Sequence, residues 1–160
     1  MISEHRKGMT AAPMARHLVG RYFTARCCLL FLFALVFATG NAFSGQAVPD
    51  TLPGATVVSA DWLKNALDKH EPIVVVDARI PSEYKDGHLP GAINIFDDTF
   101  AQEKSHLPSD KSLPLVFYCN GPKCLKSYES AKKALSSGYS RVYWLRGGIP
   151  EWTTRGYPLE

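Results

Sequence analysis

Cysteine is scarce in the part of this chain that can fold. Of four cysteines in 160 residues, Cys27 and Cys28 lie in an apolar stretch near the start, which leaves Cys119 and Cys124. One close pair, without a second pair or a histidine cluster beside it, is a poor metal site, so neither a metal nor a cofactor is expected. Long basic runs are also missing. Arg6, Lys7, Arg16, Arg21 and Arg26 account for five of the 18 basic residues and precede Cys27, as does Glu4 from the 15 acidic ones. The formal +3 charge therefore hides a body with 13 basic and 14 acidic side chains, a formal −1, which argues against nucleic acid as a partner. No apolar run reaches the roughly 20 residues of a membrane-spanning helix. Internal repeats and low-complexity segments are absent, which excludes a solenoid.

What is present at the start is a leader. A basic segment is followed by the uncharged run Cys27 to Ala38 and then by small, turn-prone residues through Ala47. That order describes a secretory signal peptide over residues 1–42, with cleavage after Gly40, Ala42 or Ala47, and hence a periplasmic or secreted protein. Met9 or Met14 gives a more usual start than Met1, and no cysteine sits where a lipoprotein cleavage box needs one. The competing reading is an uncleaved anchor, the one route by which this chain would meet a membrane. Residues 43–56, with Pro49 and Pro53, read as a linker.

The body is organised around Cys119-Asn-Gly-Pro-Lys-Cys124-Leu-Lys-Ser127. The run Leu115 to Tyr118 before it is apolar and β-prone. After it, Ala131, Ala134 and Leu135 fall at helical spacing within Tyr128 to Ser137. Strand, loop and helix in that order place Cys119 past a strand's carboxyl end, where open α/β sheets bind ligands. Asn120, Gly121 and Pro122 supply turn chemistry. The helix start adds unsatisfied N–H groups, and Lys123 and Lys126 add charge. Such a setting lowers a thiol pKa below the free value of about 8.5 and holds an anion beside it. Cys119 is thus a candidate nucleophile.

Elsewhere strands and helices alternate. Val57-Val58 reads as a strand. Ser59 is an N-cap for a helix that presents Trp62, Leu63, Ala66 and Leu67 on one face, and Ile73 to Val76 is a strand buried on both faces. That strand ends in Asp77-Ala-Arg79. Asp77 is read as an organiser of backbone N–H groups, and Arg79 as paired with a neighbouring carboxylate such as Glu83. A short helix from Pro81, a strand over Ala92 to Ile95, a small helix running toward Lys104, a strand over Val142 to Leu145 and a helix opening at Ile149 complete the order. His88 is read as satisfying backbone groups in the bend between Gly87 and Gly91 rather than as a base. The pattern predicts an α/β fold with a parallel sheet and helices on both faces.

Taken together, these motifs resemble a single rhodanese (sulfurtransferase) domain over residues 57–160. The matches are Ile73–Arg79 with its Asp-x-Arg ending, Glu83-Tyr84, and Gly87-His-Leu-Pro-Gly-Ala-Ile-Asn-Ile95. Leu115–Cys119 and Val142–Trp152, with its Gly-Gly-Ile-x-x-Trp close, follow. The resemblance implies a five-stranded parallel core and a loop that cradles the active site. Cys119 would be the catalytic residue, and Asn120, Gly121, Pro122, Lys123, Cys124, Leu125, Lys126 and Ser127 would bind substrate. It also implies a persulfide on Cys119, loaded from thiosulfate or another persulfidic donor and passed to a thiol or cyanide. Two departures accompany the match: Lys126 stands where many members have Arg, and the loop is about two residues longer, with a second cysteine inside it.

Three other readings compete. Cys119 and Cys124 could form a redox pair, resting as a disulfide in an oxidising compartment and needing reduction before sulfur transfer; alternatively Cys124 is a resolving thiol that releases persulfide, or simply a small, semi-buried loop residue. A phosphatase or arsenate reductase would also use a Cys-led anion loop, but the loop lacks the Arg that such chemistry needs. A non-catalytic binding module would use the same cradle without the thiol chemistry.

Overall fold

An apolar strand with no polar face must be covered on both sides, and the chain meets that demand with a central sheet between two helical layers. The computed structural model describes residues 47–160. The predicted signal peptide and the start of the predicted linker lie outside those residues. Among the described residues no helix is long and apolar enough to cross a membrane.

Five strands are present: β1 (Ala55–Val57), β2 (Val74–Asp77), β3 (Ile93–Asn94), β4 (Leu115–Tyr118) and β5 (Val142–Leu145). All pairings are parallel, in the order β1-β5-β4-β2-β3. The helices are α1 (Ala60–Asp68), α2 (Pro81–Lys85), α3 (Phe100–Glu103), α4 (Lys126–Ser136) and α5 (Gly148–Thr154). β4 is therefore the middle strand, and all four of its residues are buried. Side chains alternate across it. Leu115 and Phe117 join Val76, Val142 and Trp144 in a core capped by Ala131 and Ala134 of α4. Val116 and Tyr118 join Val75, Leu145, Leu63 of α1 and Trp152 of α5 on the opposite face. Fully burying each such large apolar side chain stabilises the fold by about 1.5–3 kcal/mol.

Local signals set the helix ends. The Ser59 hydroxyl accepts from the Trp62 amide at 3.2 Å and caps α1, while Glu151 of α5 accepts from the Ala60 amide at 2.9 Å. The α1 face carries Leu63 and Ala66 into the core, with Trp62 stacked on Tyr143 of β5 at 4.9 Å. Pro81 opens α2 from a first-turn position, where its missing N–H costs nothing.

Boundaries shift by one or two residues from the sequence reading at several elements. The first strand begins at Ala55 rather than Val57, inside the predicted linker. The stretch before it is also docked: Leu52 is 5% exposed, Val48 packs on the core, and Arg146 holds the Pro49 carbonyl and the Asp50 carboxylate at 3.1 and 2.7 Å. Prolines mark where the chain leaves regular structure, not whether it packs. Finally, α4 starts at Lys126, two residues before the expected Tyr128.

Candidate active site

The register of the sheet builds the site. Asp77 at the end of β2 and Tyr118 at the end of β4 are directly paired residues, so their side chains meet beneath the loop that begins at Cys119. The buried Tyr118 hydroxyl donates to Asp77 Oδ2 at 2.6 Å and accepts from the Leu89 amide at 3.1 Å. Arg79 reaches the same carboxylate with Nε at 3.0 Å from both oxygens and Nη2 at 2.6 Å from Oδ2, and Nη2 also donates to the Gly87 carbonyl at 2.7 Å. Asp77 Oδ1 accepts the Arg79 amide at 2.9 Å. The expected partner of Arg79 is thereby corrected. It is Asp77, two residues back, because the chain leaving β2 folds the guanidinium over the strand's own terminal carboxylate. Glu83 instead accepts from Asn120 Nδ2 at 2.6 Å.

Buried charge on this scale needs a full set of partners, and Asp77 at 0% and Arg79 at 5% exposure have one. Burial pulls the Arg79 pKa down, but the Asp77 hydrogen bond and charge outweigh it, and the net shift is upward. Burial pushes the Tyr118 phenol up, and the charge of Asp77 and the hydrogen bond to it add to that. Both groups therefore hold their protons across the physiological range. His88 completes the surround: Nδ1 lies 3.0 Å from the Tyr84 carbonyl, and the ring stacks on Tyr84 at 3.9 Å. Its backbone N–H and C=O pair with Glu160 at 2.9 Å each, which ties the chain's last residue to the bend.

Above this floor the loop turns tightly. Gly121, at φ +115°, bends the chain so that its carbonyl accepts from the Cys124 amide at 2.9 Å. Gly148, at φ +55°, lets the β5–α5 turn press against the loop. A Cβ there would collide with the Cys119 carbonyl, which accepts instead from the Ile149 amide at 3.0 Å. That contact is a physical reason for the Gly-Gly-Ile element.

The free thiolate expected at Cys119 is not what the structure holds: Cys119 and Cys124 are joined in a disulfide, their Cα atoms 6.3 Å apart. Cys119 is 1% exposed and Cys124 is half-buried. Two features produce the pairing, the Gly121 turn and the four-residue spacing, which fold the loop back on its own start. Pro122 and Lys123 are exposed. Leu125 precedes α4 without a capping side chain, so the first-turn amides of that helix face the loop without an intrahelical acceptor. Lys126 lies 3.3 Å from Asp98 and 4.3 Å above the Phe96 ring. Ser127 is buried and turned inward, its hydroxyl accepting from the Trp144 indole at 3.0 Å, so its side chain faces the core and not the loop.

The Tyr118–Asp77 contact, the Asn120–Glu83 contact and the Trp144–Ser127 contact were not anticipated. A signal for the first existed: a tyrosine in a fully buried strand needs a partner for its hydroxyl, and Asp77 ends the neighbouring strand. Two clefts among the described residues lie away from Cys119. They adjoin, at about 410 and 510 Å³, run between α3 and α4 and share Ala101, Lys104, Ser136 and Ser137. Neither is lined by a cysteine, whereas the Cys loop carries the Cys119–Cys124 pair.

Comparison with known proteins sharpens this picture. The model of the family described as Rhodanese-like domain matches residues 59–155. A sulfurtransferase of Allochromatium vinosum is 30% identical over 102 residues, covering 64% of this chain and 92% of its own length. A thiosulfate:glutathione sulfurtransferase of Saccharomyces cerevisiae is 30% identical over 132 residues, covering 74% and 94%. Among solved structures, the BH2092 protein from Bacillus halodurans superposes with a TM-score of 0.61 at 25% identity, covering 86% of this chain and 85% of that one.

Proposed function

The chain belongs to the rhodanese-like domain family, and from that premise we propose that it is a sulfurtransferase whose reduced Cys119 carries sulfane sulfur from thiosulfate or a persulfidic donor to a thiol or cyanide. The observation that carries this reading is the position of Cys119, at the carboxyl end of the central strand and beside the uncapped start of α4. Reduction of the disulfide frees its thiolate. The thiolate attacks the outer sulfur of thiosulfate, the S–S bond breaks, and sulfite leaves with the electron pair. The Gly121, Lys123, Leu125 and Lys126 amides and the α4 dipole stabilise both the thiolate and the departing dianion. Lys123, exposed at the rim, adds charge for an anionic donor.

The activity is placed outside the cytoplasm in this proposal. The apolar leader supports that placement, and so does a disulfide of a kind that persists in oxidising compartments. The same disulfide favours a second reading, a thiol–disulfide redox protein built on Cys119 and Cys124. The two are separated by thiocyanate formation from thiosulfate and cyanide after reduction of the protein. Sulfurtransfer gives turnover that is lost in Cys119→Ser. A purely redox protein gives none in either form.

A further inference from the structure

Cys119 and Cys124 differ in a way that gives their bond a direction. Cys119 is closed off beneath the loop, while Cys124 is half-open at its rim. An external thiolate therefore meets the Cys124 sulfur first. The sulfur that leaves is that of Cys119, beside the α4 amides that stabilise a thiolate. The Gly121–Cys124 turn that brings the two sulfurs together does not depend on the bond between them, since it rests on a backbone hydrogen bond of 2.9 Å and on the positive φ of Gly121. In the reduced protein it keeps the Cys124 thiol beside Cys119, so a persulfide formed there has an internal thiol at hand before any acceptor diffuses in.

Resting on the Cys119 persulfide reading, we propose that Cys124 is a resolving nucleophile that discharges this persulfide as hydrosulfide. The protein thereby acts as a sulfane-sulfur reductase driven by a thiol reductant. First, in the reduced protein, where no bond holds Cys124 over it, the Cys119 thiolate takes the outer sulfur of thiosulfate and releases sulfite. The Cys124 thiolate then attacks the inner sulfur, the one attached to Cys119. The Cys119–Cys124 bond forms, the bond to the outer sulfur breaks, and that sulfur leaves as hydrosulfide with the electron pair and the persulfide proton. The sulfane sulfur has gained two electrons, and the two cysteines have lost them. A thiol reductant then attacks Cys124 and expels the Cys119 thiolate, and its second thiol resolves the mixed disulfide. The sum is thiosulfate and two thiols giving sulfite, sulfide and one disulfide. The bonded pair seen in the structure is the end state of one such turnover.

The test is a single turnover. Fully reduced protein, freed of reductant under anaerobic conditions, is mixed with thiosulfate; sulfite and sulfide are counted and the intact mass is read. The wild type is expected to release one equivalent of each and to end two hydrogens lighter. Cys124→Ser is expected to release sulfite alone and to stay one sulfur atom heavier until a thiol is added. If the wild type instead keeps the extra sulfur as long as the variant does and releases no sulfide, the resolving role is overturned while the persulfide reading stands. If Cys124→Ser gains no sulfur and releases no sulfite, the persulfide reading itself fails and this proposal falls with it.

Discussion

The floor and the roof of the site are built on opposite principles. Beneath Cys119, the Asp77 carboxylate, the Arg79 guanidinium and the Tyr118 hydroxyl are almost sealed from water and bonded to one another and to the Gly87 and Leu89 backbone. Above it, residues 120–125 are held by the Gly121–Cys124 turn, the Glu129 amide donating to the Leu125 carbonyl, one exposed Asn120–Glu83 contact and a bond that a thiol can open. A buried polar network cannot lose a member cheaply, so it fixes where the strand ends point. A lightly held loop can change covalent state without disturbing that frame. The contrast assigns positioning to the floor and chemistry to the roof.

The comparison can be broken first at the floor. Asp77→Ala leaves a nearly sealed guanidinium unpaired and is expected to cost about 3–5 kcal/mol of stability, read as a drop in the urea midpoint. A loss of only a few tenths would mean that the network is not the anchor described here. Tyr118→Phe removes one acceptor for the Leu89 amide and one donor to Asp77, and is expected to cost about 1–3 kcal/mol near neutral pH. The pH dependence follows from the upward shift of Tyr118. The fold favours the protonated phenol, so this contribution is whole below the unfolded value of about 10 and is lost as pH rises beyond it. Stability measured against pH should therefore fall on the alkaline side in the wild type and fall less steeply in Tyr118→Phe.

The smallest effect belongs to the roof. Asn120→Ala removes an exposed contact to Glu83 and should move stability by no more than about 0.5 kcal/mol. A loss comparable to that of Asp77→Ala would show the loop to be as structural as the floor and would erase the distinction.

Much of the frame could be read from the chain, for particular reasons. β2, β4 and β5 announce themselves because central parallel strands are apolar at nearly every position, and α1 does because Ser59 and its apolar face agree. β1 shifted because it is an edge strand whose Thr56 and Val57 are exposed, which leaves no apolar pattern to mark its start. The start of α4 was missed because Ser127, read as a ligand group in the loop, is turned into the core toward Trp144. The spacing of Cys119 and Cys124 made their proximity legible, but not their covalent state or the burial of Cys119, which depend on the turn at Gly121 and the approach of Gly148. Spacing along the next helix points Arg79 forward to Glu83, whereas the fold turns its guanidinium back over the strand end to Asp77.

The central claim is that the Cys119 sulfur, once reduced, accepts a second sulfur atom. The direct measurement is peptide mass mapping of reduced Cys124→Ser after exposure to thiosulfate, since cleavage after Lys111 and Lys123 isolates Cys119 in a peptide of its own. The account predicts one additional sulfur on that peptide, removed by cyanide. A peptide of unmodified mass, from protein that is folded and fully reduced, would contradict it.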